Sequence, residues 1–128
     1  VATREEIIAA IETAKCPSHE LDEQVARLLG WTQRRVGQVD AWFDLAGHMH
    51  GRPPLFTKSL DDAARLIPVG AYWFVGAGRE QPGEPLYGAV IIEPASDREI
   101  GGGETDASAA SALTIAGLRA QCPATTQH

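Results

Sequence analysis

Two neighbouring stretches of this chain, residues 71–75 and 86–93, are dense in aromatic and β-branched side chains. Such residues lose rotamer freedom in a helix and pack well on a pleated surface, so both stretches read as strands. The glycine- and proline-rich residues 76–85 between them read as a hairpin loop. The flanking chain has a different period, with apolar residues recurring at helical spacing behind helix-start signals. A chain carrying both patterns has to lay helices on a sheet. The expectation is an α+β fold, a small antiparallel sheet of about three strands with helices packed on it in a layered α/β sandwich. At 128 residues the chain is expected to be a single domain over 1–128, with its core over about 3–121 and a frayed tail at 122–128.

The helices can be placed by their ends. Thr3 followed by Glu6 is a capping box, and Ile7, Ile8, Ile11 and Ala14 then share a face until Pro17. A second helix starts after Ser18, buries Leu21, Val25, Leu28 and Leu29, and stops at Gly30. Val39, Ala41, Phe43 and Leu45 alternate with Asp40, Trp42 and Asp44, which suits a short strand with one face buried, and 46–54 reads as loop. Ser59 opens a third helix that has Asp62 in the capping-box position, turns Leu60, Ala63, Ala64 and Ile67 inward and closes at Pro68. Residues 94–103 read as a flexible stretch. A last helix is expected over about 106–120, its small-residue stripe of Ala109, Ala116 and Ala120 with Leu113 suited to close approach.

Eleven Lys and Arg stand against seventeen Asp and Glu, a formal net charge of −6. That excludes a protein built mainly to coat a nucleic-acid backbone, which needs a basic footprint. No apolar run is long enough to span a bilayer, and the acidic start, with Glu5 and Glu6, does not read as a signal peptide. Cys16 and Cys122 lack the spacing of a zinc site and read as two separate thiols.

Candidate chemistry is thin. His48 and His50 would point the same way in an extended segment, but no H-E-x-x-H motif or cysteine pair completes a zinc site. This leaves a small metal-dependent enzyme as the weakest of three functional readings. Gly76, Gly78 and Gly83 do not form a dinucleotide fingerprint. Gly101, Gly102 and Gly103 are followed by Glu104 and Asp106, whose charge opposes a phosphate, so they read as a loose turn. Ser108 and Ser111 have no histidine near them from which a triad could be argued. No catalytic residue, cofactor or metal ligand is expected.

Residues 25–36 together with Val39 match a helix-turn-helix pattern, with Ala26, Gly30, Val36 and Val39 at its small, turn and core positions. In that reading Gln33, Arg34 and Arg35 face the major groove, and the chain is a DNA-binding regulator. Gly37 inside the recognition helix costs about 1 kcal/mol and argues against it.

Leu28-Leu29-Gly30-Trp31, Trp42, the run Pro53-Pro54-Leu55-Phe56-Thr57-Lys58-Ser59-Leu60-Asp61-Asp62-Ala63-Ala64, then Leu66-Ile67-Pro68, Trp73 and the 109–120 segment resemble a family of small bacteriophage and prophage proteins, the phage ABA sandwich domain proteins. The resemblance runs from Leu21 onward, and Thr57-Lys58-Ser59-Leu60-Asp61 is its most distinctive part. Gly101 to Gly103 and Ser108 to Ser111 depart from the proline-containing helix start of that pattern. The resemblance implies a layered α/β fold of phage or prophage origin, in the cytoplasm of a bacterial host, and brings no catalytic residues. The leading expectation is therefore a non-catalytic accessory protein that binds a host or phage protein. An inhibitor of a host defence complex, of the anti-CRISPR kind, is its most specific form. Asp40, Asp44, Glu80, Glu84, Glu93 and Asp97 are the candidate protein contacts, and a homodimer through an open sheet edge or exposed tryptophan is the second possible partnership.

Overall fold

The structure, a computed structural model, describes residues 2–81, 84–105 and 107–121. The elements run α1 (Arg4–Thr13), α2 (His19–Leu28), β1 (Thr32–Val36), β2 (Val39–Phe43), β3 (Met49–His50), α3 (Leu60–Ala63, continued by a 3₁₀ turn Ala64–Leu66), β4 (Tyr72–Gln81), β5 (Glu84–Glu93), β6 (Arg98–Thr105) and α4 (Ala109–Gln121). The fold is α+β as expected, but its strands form two antiparallel three-stranded sheets, ordered β1-β2-β3 and β4-β5-β6, rather than one.

The local helix signals act as written in the sequence. Thr3 Oγ1 accepts from the Glu6 amide at 3.2 Å and Glu6 Oε1 accepts from the Thr3 amide at 2.8 Å. These bonds, the backbone one foremost, hold the Glu6 carboxyl below its usual range. Ile7, Ile8 and Ile11 are buried beneath. Ser18 caps α2, which ends in a Schellman turn: Trp31 N donates to Ala26 O and Gly30 N to Arg27 O. Gly30 has φ +103, a left-handed conformation that needs glycine, and the exposed Leu45 side chain lies against it.

Four expectations are corrected. Residues 32–36, which the DNA-binding alternative places on a recognition helix, form strand β1, and Gly37 at φ +65 turns the chain into β2 through a two-residue loop between Val36 and Val39. The helix-turn-helix geometry is absent. The hairpin of β4 and β5 continues through Gly76, Gly78 and Gly88, so residues 76–81 and 84–85 are strand rather than loop. Residues 98–103 are not a flexible stretch but most of β6. The third helix is only one α-turn and one 3₁₀ turn; Leu60 stays exposed, and the Asp62 carboxylate accepts from Leu55 N at 2.8 Å instead of closing back on Ser59. The expected tail at 122–128, Cys122, Gly83 and the 106 helix start lie outside the described residues; Cys16 is exposed.

Helix α4 is the axle of the molecule. Ile115 and Leu118 join Ile7, Ile11, Val25, Trp42 and Phe56 on one side. Leu113, Ala112 and Ala116 join Ala63, Ala89 and Ile91 on the other. Every residue from Ala110 to Leu118 is buried. The helix sits so close to β6 that a Cβ on Gly103 would lie 2.6 Å from Ala112 O, and one on Gly101 would strike the Ala116 carbonyl. These glycines are a seat for the helix, not a loose turn.

The loop before α3 is clamped by a buried polar hub. Asp22 Oδ1 accepts from both Thr57 N and Thr57 Oγ1 at 2.8 Å, while Ser18 N donates to Thr57 Oγ1 at 3.0 Å. From α4, Ser108 Oγ and Ser111 Oγ donate to Thr57 O, and Thr114 Oγ1 donates to Phe56 O at 2.6 Å. The hub explains the two serines without any triad: they bind backbone. Desolvation pushes the Asp22 carboxyl up, and the two bonds from Thr57 pull against it.

Candidate functional site

The second sheet has one covered face and one open face. Side chains alternate along each strand and paired residues share a side, so the register fixes both sets. Ala89 and Ile91 of β5 and Gly101, Gly103 and Thr105 of β6 turn to α4 and are buried. The opposite face carries three cross-strand rows. Tyr72 of β4 stands beside Ile92 of β5 and then Glu99 of β6. Phe74 stands beside Val90 and Gly102. Gly76 stands beside Gly88 and Glu104. No helix among the described elements packs on this face, and Tyr72 and Phe74 keep 60% and 62% of their surface exposed.

The rows make an amphipathic trough of about 700 Å³, lined by Phe74, Val90, Glu99 and Glu104 with glycines in its floor. Its β4 side is aromatic and its β6 side is acidic. Glycine makes the depression: a Cβ on Gly102 would lie 2.6 Å from Glu99 Oε2, and one on Gly76 would meet nothing within 4 Å. Glu99 and Glu104 are exposed, and neither is among the ion pairs of the described residues. At the rim Arg119 Nη2 holds Glu12 Oε2 at 2.7 Å and its Nη1 donates to Gly102 O at 2.8 Å. The trough thus presents two uncompensated carboxylates beside an apolar floor. That arrangement suits a ligand segment with apolar and cationic side chains.

The six acids expected as contacts lie on several elements. Asp40 lies on β2 opposite Arg35, with 3.9 Å between the charged groups. Glu93 ends β5, accepts from Ser96 Oγ at 2.6 Å, and lies in the β5–β6 turn with Asp97, whose φ is +57. Glu84 begins β5, so it and Glu93 are roughly 30 Å apart along one extended strand. Glu80 lies in β4, and the side chains of Glu80 and Glu84 are outside those described.

Asp44 has a local role. Its Oδ1 accepts from the amides of Ala46 and His48 at 2.9 Å, and its Oδ2 meets His50 Nε2 at 2.9 Å. The His50 bond, then the His48 amide, lower the Asp44 carboxyl to about 2. His48 Nδ1 is 3.7 Å from the same carboxylate and largely exposed, and the His50 ring stands 4.9 Å from that of Trp31. Among the described residues no group of three His, Cys, Asp or Glu side chains is arranged to hold a metal ion. On β1, Arg34 lies 3.9 Å over the Phe43 ring, Arg35 faces Asp40, and Gln33 accepts from Arg27. The three expected DNA contacts alternate across a strand instead of sharing a helix face.

The residues that make the open face were not among the sequence candidates. Their signal was available in the two-residue spacing of Tyr72, Phe74, Gly76 and Gly78, which puts aromatics and gaps on one side of a strand. No family model matches the chain, and no curated protein and no solved structure is detectably similar to it. No helix among the described residues is long and apolar enough to cross a membrane.

Proposed function

We propose that this chain is a non-catalytic binding protein whose working surface is the open face of β4-β5-β6. The observation that carries the proposal is the row structure of that face: exposed Tyr72 and Phe74, half-buried Val90 and Ile92, and unpaired Glu99 and Glu104 over glycines. An apolar surface left uncovered on a sheet whose other side packs on α4 is a cost to the isolated molecule, and a docked partner removes it. The partner is a protein segment with aromatic or aliphatic residues toward β4 and Lys or Arg toward β6. With the resemblance to small phage proteins, that partner is a bacterial host or phage protein. A host defence complex is the specific version, since the groove such a complex uses for nucleic acid is itself cationic.

Selection of displayed random peptides on the immobilised protein tests the chemistry directly. The expected outcome is enrichment of peptides combining aromatic or aliphatic residues with Lys or Arg, and loss of their binding in the Glu99→Lys/Glu104→Lys variant at unchanged melting temperature. Enrichment of acidic peptides, or binding indifferent to both substitutions, refutes the assignment of this face.

A further inference from the structure

We infer that the outer edge of β4 takes a second copy of this chain, paired antiparallel with the two-fold axis at Phe74, so that two three-stranded sheets join into one of six strands. Strand β4 is an edge of its sheet, and no described strand pairs with its outer side. Natural edges are blunted by charge, proline, bulges or brevity. Here the first seven of the ten residues of β4, Tyr72 to Gly78, carry no charge, and neither does the chain before them back to Leu66; Arg79 and Glu80 stand at the far end of the strand. Its only irregularity lies beyond Arg79.

The sequence of the edge is complementary to itself in one register. With Phe74 opposite its mate, Tyr72 of one copy stands over Gly76 of the other, and Trp73 stands beside Val75. Aromatic side chains thereby cover edge glycines on the open face, a recognised stabilising pairing in sheets. Ala71 then opposes Ala77, and Gly70 opposes Gly78, so the paired stretch brings no charge against another. Because the axis is perpendicular to the sheet, both open faces remain on the same side, and Tyr72 of each copy covers the Gly76 edge of the other's trough while the Glu99 and Glu104 edge stays open.

Area sets the strength. Tyr72, Trp73 and Phe74 are 60%, 40% and 62% exposed, and at 150–250 Å² per aromatic side chain they offer roughly 300 Å² per copy. Stable dimers bury about 800 Å² per partner. The strand backbone and the fully exposed Val69 add to the aromatic share, which places the assembly at the small, micromolar end. Each copy carries −6, so added salt strengthens the dimer by screening a repulsion that acts at long range.

Sedimentation velocity from about 5 to about 200 µM is expected to show a monomer–dimer equilibrium that Phe74→Lys shifts to monomer and Glu99→Lys/Glu104→Lys leaves intact. Register is tested in a Cys16→Ser/Cys122→Ser background by mild oxidation. Phe74→Cys is expected to give a covalent dimer, and Tyr72→Cys to give little, since the two Tyr72 positions lie roughly 13 Å apart along the paired strands. A wild-type chain that stays monomeric throughout that range overturns the inference. So does a dimer in which Tyr72→Cys crosslinks as readily as Phe74→Cys.

Discussion

Replacing one glycine by alanine on each side of the second sheet separates its two faces energetically. At Gly103 the added methyl would lie 2.6 Å from Ala112 O and 2.6 Å from Ile115 Cβ. Carbon atoms rest about 3.5 Å or more from such neighbours, so α4 or β6 has to move by nearly 1 Å. Neither can swing aside, because α4 is buried from Ala110 to Leu118 and β6 is paired to β5 along its length. Overpacking of this kind costs about 1–3 kcal/mol, and contact with helix backbone puts Gly103→Ala at about 3 kcal/mol. In a chain of this length that lowers the melting temperature by about 10 °C. Gly76→Ala changes the same atom on the opposite face, where nothing lies within 4 Å. It is expected to leave stability within about 0.5 kcal/mol, or raise it slightly by stiffening the unfolded chain. Thermal and urea unfolding followed by circular dichroism reads both. Equal melting temperatures for the two variants would falsify the seating of α4 on β6, and with it the distinction between covered and open faces.

Asp22→Ala removes the acceptor for the Thr57 amide and hydroxyl and is expected to cost about 3 kcal/mol in urea unfolding, with little change in slope. Asp22→Asn keeps an acceptor but cannot ionise. Because the Asp22 carboxyl is raised in the fold, the native state holds its proton more tightly, and stability from this group falls as pH rises from 3.8 through the raised value. The asparagine variant should therefore gain on the wild type as pH rises through that window; an advantage that shrinks there refutes the burial. Asp44 has the opposite sign: its contribution is fully present above 3.8 and lost as pH falls toward about 2. Acid titration of Asp44→Asn should show a shallower loss between those values than the wild type, and an unchanged acid limb contradicts the His50 contact. Gly30→Ala, at φ +103 and against Leu45, is expected to lower stability by at least about 1 kcal/mol in the same urea assay.

Features decided within a few residues could be read before any fold was known. Thr3 with Glu6, Ser18, Ser59 and Gly30 set helix ends through bonds to backbone three or four positions away, so their spacing carries the information. Strand β1 is not legible from its residues alone because Ala26, Gly30, Val36 and Val39 also fit a helical motif. The two-residue turn at Gly37 and Gln38 was the competing local signal, and the pairing of Val36 with Val39 is what selects it. Strand β6 was missed for a deeper reason. Three consecutive glycines have poor strand propensity, and Gly101 and Gly103 are strand here because helix α4, which starts at Ala109, leaves no space for side chains on that face. The expected acidic contacts were each chosen singly and lie on several elements, whereas a surface depends on which strands lie side by side.

By itself, then, the amino-acid order determined the α+β class, the starts and stops of the first two helices, the two aromatic and β-branched strands, and an acidic net charge. Tertiary structure alone decided that there are two sheets, that Gly101 and Gly103 seat α4, and that Tyr72, Phe74, Val90, Glu99 and Glu104 share one uncovered face. The physical reason is range. Capping and turn preferences act between near neighbours, while cross-strand register and helix seating join residues far apart in the chain, whose contacts exist only once the core has closed around α4.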